Sequence, residues 1–475
     1  MTAFTYMGQN MQEETIVAIA TGRGRAGVGI VRLSGRRAVE IASQVFFPLG
    51  GKKLTEAEDR RAVYGNIILK GQTLDDGLAI LMRGPRSYTG EDVAELQCHG
   101  APALLREIVA ACCELGARPA EAGEYTRRAF LNGRLDLLKA QAVMDIIEAK
   151  TAASLKLAAG HLSGKASAKI SRWRQALLDI LVHLEALIDF PEEGIEELSL
   201  AEAGEKLRGI QGEMEQLYRT GNTGKILREG LVTAITGAPN GGKSSLLNAL
   251  LGEERAIVTD IAGTTRDSLE EYADMGGVPL RLIDTAGLRA TADPVERLGI
   301  QRSRRALEQA ELILAVFDGS RPLSEDDREL LRELRLAEGR GKKVFRLLNK
   351  QDLPVCPDTE KVVRDAAGEE NCFQISAQKG EGLERLTEAI REYALSGVSE
   401  EELVEGGVAT EWEAYRLGAA VSSVESAAGA LADGLGADCA AIDLTAAVDS
   451  LGGILGLTAS EDVVDHIFSR FCVGK

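Results

Sequence analysis

Gly237-Ala-Pro-Asn-Gly-Gly-Lys-Ser244 follows directly on the apolar run Leu231 to Thr236 and leads into a helical pattern over Ser245 to Leu251. A buried strand that opens through glycines into a helix turns a ring of backbone N–H groups outward, a shape complementary to phosphate. In that loop Lys243 reaches the β and γ phosphates and the Ser244 hydroxyl completes a Mg2+ shell, with Asn240, Gly241, Gly242 and Ser245 lining the rest. Such a unit belongs in a doubly wound, mostly parallel sheet with helices on both faces, and it takes a nucleoside triphosphate.

Later strings stand in the order that sheet requires. Leu280-Arg-Leu-Ile-Asp284-Thr285-Ala286-Gly287 ends a strand with an aspartate able to hold Mg2+ through water and a glycine whose N–H meets the γ phosphate. Leu347-Leu-Asn349-Lys350-Gln-Asp352 ends another, where the Asp352 carboxylate can accept both N1–H and the 2-amino group of guanine. Adenine offers no such pair, so the expected ligands are GTP and GDP. Ile375-Ser376-Ala377, followed by Gln378, then supplies a backbone N–H for guanine O6. Between the first two strings, the polar loop Thr259-Asp-Ile-Ala-Gly-Thr264-Thr265-Arg-Asp267 offers Thr265 as a further Mg2+ ligand, ordered around GTP. Taken alone it reads equally as a surface loop of turn residues. After Gly287 comes Leu288, where many GTPases carry a glutamine that orients water. Either hydrolysis is very slow or another group positions the water, and Arg289, Asp293 and Glu296 are the polar candidates.

The chain of 475 residues exceeds one core and should divide into two or three domains. Short β-rich runs (16–20, 29–33, 63–69, 77–82 and 93–98) alternate with helical stretches at 37–45 and 103–115, an α+β pattern. Helical spacing then takes over: Leu177, Leu181, Leu184 and Ile188, and Leu207, Ile210, Met214 and Leu217, with a break at Asp189-Phe-Pro191. Thr220-Gly-Asn-Thr-Gly224 breaks the last of these helices, and apolar strands at 280–283, 312–317, 344–348 and 373–375 follow, interleaved with helices. Residues 400–475 are again helical, and the economical arrangement packs them on the earlier helices, making the nucleotide domain an insertion.

Composition narrows the function classes. A net charge of −18 argues against a surface that grips nucleic acid throughout, so an RNA contact must be local or shared with a partner. Residues 1–14 lack the basic start and unbroken apolar core of a signal peptide, and no apolar run is long enough to cross a bilayer; a cytoplasmic protein without membrane contact is expected. The 7 scattered cysteines show no metal-type repeat and read mostly as small buried residues in a reducing compartment.

The strings 237–250, 257–267 and 284–299 are shared in kind by GTPases such as Era and Der. The remainder resembles the MnmE (TrmE) family of tRNA-modifying GTPases: Gly29-Ile-Val-Arg32-Leu-Ser-Gly35, Ser87-Tyr-Thr-Gly-Glu-Asp-Val-Ala-Glu95-Leu-Gln-Cys-His-Gly100, Ala129-Phe-Leu-Asn-Gly-Arg134-Leu-Asp136 and the terminal Phe471-Cys-Val-Gly-Lys475. The resemblance spans essentially the whole chain. It implies an α+β tetrahydrofolate-binding and dimerisation domain (1–130), a helical domain in two parts (131–229 and 397–475) and an inserted α/β GTPase domain (230–396). It further implies a homodimer that works with the FAD-bearing flavoprotein MnmG (GidA) to build an aminomethyl or carboxymethylaminomethyl group on C5 of the tRNA wobble uridine, the carbon coming from methylene-tetrahydrofolate.

Carried over residue by residue, the resemblance has Asn240 and the backbone around Thr259, Ile261 and Thr264 cage K+, with Ser244 and Thr265 on Mg2+. Glu296 positions the water, and Lys243 and Arg289 complete the catalytic set. Arg32, Glu95, Arg134 and Lys475 hold a 5-formyl- or methylene-tetrahydrofolate, the carboxylate on the amino-pyrimidinone edge and the cations toward the glutamate tail. Some members have lysine where this chain has Arg134, which keeps charge but alters reach and geometry. Cys472 lies in the terminal motif and is implied in tRNA modification.

Plainer readings stand beside these. Arg32 would ordinarily be a solvated cation, Glu95 the wet face of a strand, and His99 an N-cap or core residue. Arg127-Arg128 reads as a solvated helix face more readily than as an RNA contact, and Cys472 as a buried thiol. The rival function is a regulatory Era-like or Der-like switch that binds ribosome or RNA, and the N-terminal domain could serve only as a dimerisation scaffold. An Era-like or Der-like protein would carry a basic appendage after the GTPase segment, and the acidic run Glu400 to Glu405 does not resemble one.

Overall fold

The computed structural model describes residues 14–22, 24–189, 199–252, 271–283, 306–395, 398–399, 402 and 407–474. The chain divides into two units, Met1–Met144 with Ser167–Gly204 and Ser426–Lys475, and Asp145–Ala166 with Glu205–Glu425.

In the first unit, period-two patterning folds into a seven-stranded sheet. Its strands are β1 (Ile16–Ile19), β2 (Ala26–Ser34), β3 (Phe46–Pro48), β4 (Ala62–Leu69), β5 (Gln72–Met82), β6 (Val93–Gly100) and β7 (Arg118–Pro119). The order is β3-β4-β5-β6-β2-β1-β7, antiparallel except for the β1–β7 pair. One face is apolar: Val31, Leu33, Ile67, Leu81 and Leu96 pack against Ile41 and Val45 of the Ala38–Val45 helix and Leu105, Ile108 and Cys112 of the Pro102–Glu114 helix. Alternation sends Arg32, Tyr64, Leu78, Glu95 and Gln97 to the opposite face, with Arg32 across from Glu95 and Tyr64 across from Leu78. β3 and β7, of 3 and 2 residues, carry too little pattern to be expected from sequence.

Several expectations about this unit are corrected. Arg128 is no solvated cation; it is 2% exposed, held at 2.8 Å by Glu124 one turn earlier and at 3.1 Å by Glu91. Arg127 is half-buried and paired with Asp465 at 2.6 Å. His99 neither caps a helix nor joins the core: it is exposed, its Nδ1 lies 2.8 Å from Asp75 Oδ1, and that contact raises its pKa. In the long helix Lys165–Asp189, Leu177, Leu181 and Leu184 are buried as expected but Ile188 is exposed. Of the cysteines only Cys98, Cys112 and Cys372 are buried, so "mostly buried" fails for the set. Burial pushes the Cys98 thiol up to about 11 and that of Cys112 to about 12, so both stay protonated and inert.

The second unit contains a six-stranded sheet built from β8 (Leu231–Gly237), β9 (Glu271–Met275), β10 (Val278–Ile283), β11 (Leu312–Asp318), β12 (Lys343–Asn349) and β13 (Cys372–Gln374), in the order β13-β12-β11-β8-β10-β9. Every pairing is parallel except β9 with β10. Every residue of β11 is buried, as a strand covered on both faces must be. Leu246, Leu250, Leu386 and Ile390 cover one face, and Leu330, Leu334 and Val363 the other. The antiparallel edge fits the mostly parallel sheet expected, although β9 itself was not marked as a strand in the sequence. It arises at Gly276 (φ 64) and Gly277 (φ 95), the two left-handed residues a tight hairpin demands.

The Thr220-Gly-Asn-Thr-Gly224 run ends the Leu200–Arg219 helix as expected, and it also starts another helix, Gly221–Glu229, that feeds into β8. Glycine is needed at 224 for space. A Cβ there would lie 1.8 Å from the Val408 carbonyl oxygen, while Val408 N donates to Thr220 Oγ1 at 3.1 Å.

Candidate functional site

The parallel strands bring their carboxyl ends to one edge of the six-stranded sheet, and the phosphate-type loop opens there from β8. Its glycines are set by contact. A Cβ at Gly237 would lie 2.4 Å from Val316 O, and one at Gly242 (φ 100) would lie 2.0 Å from Asn349 Nδ2. Asn240 adopts φ 61, a left-handed conformation that asparagine tolerates better than most side chains, and it is exposed at the loop's tip. The loop ends in the Lys243–Leu250 helix, with Ser244 and Ser245 exposed in its first turn. Lys243 Nζ donates to Gly237 O at 2.8 Å and Ala238 O at 2.9 Å, folding the ammonium into the loop. Burial lowers its pKa, with the Asp327 charge opposing.

Asn349 ties three segments together. Its Nδ2 donates to Gly241 O at 3.0 Å and its Oδ1 accepts from Ala377 N at 2.9 Å, so the loop, the end of β12 and the run after β13 form one rigid rim. On that rim Ser376 Oγ donates to Asp352 Oδ1 at 2.7 Å. This hydroxyl, with the Asp352 backbone amide and the charges of Lys379 and Lys350, holds the carboxyl below the usual range. A groove of about 590 Å³ lies between the Lys243–Leu250 helix and this rim, lined by Ser245, Asn248, Ala377, Gln378, Lys379 and Leu383. The arrangement offers phosphate-facing amides at one end and a charged hydrogen-bond acceptor at the other.

A second constellation occupies the open face of the seven-stranded sheet. Arg32 Nε and Nη2 each lie 2.8 Å from Glu95 Oε1, with the two side chains 17% and 14% exposed, so neither is the solvated residue of the plainer reading. The Arg32 guanidinium sits 5.9 Å from the Tyr88 ring centre and 5.7 Å from that of Tyr125, whose hydroxyl donates to Arg32 O at 2.6 Å. These tyrosines were not singled out from sequence, although Tyr88 lies inside the Ser87–Gly100 string. Arg134 is exposed and its Nε donates to Ser87 O at 3.2 Å, so one short loop connects it with the Arg32 site. The C-terminal tail docks here too. Gly123 N donates to Cys472 O at 3.3 Å, Val473 bridges to Ala122, and Arg32 Nη1 reaches Gly474 O at 3.5 Å. Cys472 is exposed, which removes the buried-thiol reading.

Thr259, Ile261, Thr264, Thr265, Asp284, Thr285, Ala286, Gly287, Arg289, Glu296 and Lys475 lie outside the described residues, as do Leu288 and Asp293.

Comparison with known proteins adds to this geometry. The profile described as the MnmE helical domain matches residues 137–472, and that described as the GTP-binding protein TrmE N-terminus matches 15–134. A tRNA modification GTPase MnmE from Symbiobacterium thermophilum is 45% identical over 98% of this chain and 100% of its own length. One from Clostridioides difficile is 43% identical over 98% and 99%. Among solved structures, an Era from Aquifex aeolicus bound to GDP·AlF4− is 28% identical over 34% of this chain and 56% of its own, with a TM-score of 0.27. Among the described residues no helix is long and apolar enough to cross a membrane.

Proposed function

The chain belongs to the MnmE family of tRNA modification GTPases, and from that premise we propose that it is a potassium-dependent GTPase that acts with the flavoprotein MnmG on C5 of the tRNA wobble uridine. The observation that carries the GTPase part is the Asn349 rim, which joins a phosphate-type loop to a carboxylate already oriented by Ser376. Guanine, with two adjacent donors, suits that carboxylate. Residues 230–396 form the GTPase domain in this reading, 1–130 the folate domain, and 131–229 with 397–475 the helical domain, in a cytoplasmic protein.

The donor chemistry fits the ions. Ser244 offers a hard oxygen in the first helical turn, as Mg2+ prefers, and Thr265 is its proposed companion. Asn240 presents an amide beside the phosphate loop, a donor suited to K+, with Thr259, Ile261 and Thr264 completing the cage. Bound K+ supplies fixed positive charge where negative charge develops. Lys243 orients the phosphates, while Glu296 and Arg289 serve the attacking water. Hydrolysis by Asn240→Ala in KCl is expected to fall by roughly a hundredfold and to lose its difference from NaCl. Equal rates of the unaltered protein in K+ and Na+ would remove this part of the proposal.

Arg32, Glu95, Arg134 and Lys475 are proposed to hold a tetrahydrofolate derivative, Glu95 on the pterin edge. Tyr88 and Tyr125 support this by bracketing the Arg32–Glu95 pair with aromatic rings. The same sheet face exposes Phe47, Tyr64 and Leu78, an apolar stripe that supports homodimerisation through this domain. Cys472, carried by a tail that reaches Arg32, is proposed to serve the uridine chemistry. The deciding experiment mixes the purified chain with FAD-loaded MnmG, GTP, methylene-tetrahydrofolate and unmodified tRNA. A mass increase on the wobble nucleoside that requires this chain is expected; none would overturn the reading in favour of a regulatory switch.

A further inference from the structure

The carboxyl end of β11 carries a buried acid that the nucleotide motifs leave unused. Asp318 closes the strand opposite Asn349 and is 7% exposed. Its Oδ1 accepts from Ser320 N at 3.0 Å and Ser320 Oγ at 2.6 Å, and its Oδ2 accepts from Lys350 Nζ at 2.7 Å, with Arg321 Nε 3.6 Å away. Burial would raise its pKa, but the hydrogen bonds from Lys350 and Ser320 more than offset that and keep it charged. A charged acid at this depth is costly unless its partners hold it firmly, so the Lys350 contact is a strong one.

Lys350 is unusual at its other end. It adopts φ 66, a strained conformation for a lysine that persists because the neighbouring chain fixes it. Asn349 bonds both Gly241 and Ala377, Gln351 N donates to Ile375 O at 3.2 Å, and Leu353 N to Lys350 O at 3.0 Å. The Lys350 backbone is therefore set by the rim and its ammonium by Asp318. A free lysine side chain retains about 2 kcal/mol of rotamer freedom, and pinning both ends of the stem removes most of it before any ligand arrives.

We propose that Asp318 is a positioning residue for the guanine base: it draws the Lys350 ammonium across to β11 so that the four-carbon stem is held extended as a fixed apolar edge beside the base selected by Asp352. This inference rests on the guanine-nucleotide reading above. Asp318 acts only through Lys350, and its work is preorganisation of the base site.

The test uses the full-length protein and fluorescent GDP. Asp318→Ala is expected to raise the Kd about tenfold, mainly through faster release, and to raise KM for GTP with little change in kcat. Lys350→Met, which keeps the stem and deletes the ammonium, is expected to weaken binding to a similar degree. The double variant is expected to be no weaker than either single one, because both remove the same tether. Losses that multiply in the double variant, or an Asp318→Ala that binds GDP within twofold of the unaltered protein, would overturn the inference. Should Asp318→Ala fail to melt cooperatively, Lys350→Met decides alone, and unchanged affinity there overturns it as well. Failure of the unaltered chain to prefer GDP over ADP would instead remove the guanine reading itself.

Discussion

Asp352→Asn is expected to weaken GTP binding by about a hundredfold or more and to shift the preference toward xanthosine triphosphate. Guanine offers two adjacent donors, N1–H and the 2-amino group, and a carboxylate meets both as an acceptor. The hydroxyl of Ser376 on Oδ1 already fixes that carboxylate's rotation, so the geometry is set before the base enters. An asparagine keeps the shape but turns one acceptor into a donor that faces a donor. Xanthine replaces the 2-amino group with a carbonyl, which restores the match. Competition of GTP and xanthosine triphosphate for the fluorescent nucleotide gives the answer, and discrimination unchanged from the unaltered protein would mean that Asp352 does not read the base.

Features encoded over a few adjacent residues were legible from sequence, and features made by distant partners were not. The strand–loop–helix at Leu231 to Leu250 was readable because backbone amides, glycines and Lys243 lie within one short stretch. Alternation in Val93 to Cys98 likewise announced the strand found at Val93–Gly100. The break at Thr220 to Gly224 was legible, but the need for glycine at 224 was not, because it comes from the Val408 carbonyl, which local sequence does not reveal. Arg128 looked solvated because charge alone suggests exposure; its burial depends on Glu91 from a separate loop. The tyrosines flanking Arg32 come from a loop and a helix that only the fold brings together. Asp318 has the same character, since nothing in the string Leu312 to Asp318 announces a lysine partner just past the end of β12.

The buried charges around Arg128 define the second large effect. Arg128 Nη2 donates to Glu124 Oε1 at 2.8 Å, and Nη1 reaches Glu91 Oε2 at 3.1 Å and Glu14 O at 2.9 Å. Glu124 is 1% exposed; burial pushes its pKa up, yet the bonds from Arg118, the Glu121 amide and Arg128 more than compensate and hold it below the usual range. Arg128→Met fills similar space but leaves Glu124 with Arg118 as its cationic partner and Glu91 with the Ser34 hydroxyl. Breaking a buried pair from one side costs about 3–5 kcal/mol. The loss is expected in the N-terminal sheet, as faster amide hydrogen exchange in residues 93–100 of the full chain. Its pH dependence follows from the sign of the shift. Because the folded pKa of Glu124 lies below an unfolded value of about 4.3, its stabilisation is present above that value and disappears as pH falls through the folded pKa. The variant raises that folded pKa, so the gap from the unaltered protein should be widest near neutrality and should narrow as the carboxylates protonate. A deficit below about 1 kcal/mol, or one of equal size at neutral and acidic pH, would mean that the guanidinium packs as a hydrophobe and does not serve as the counter-charge.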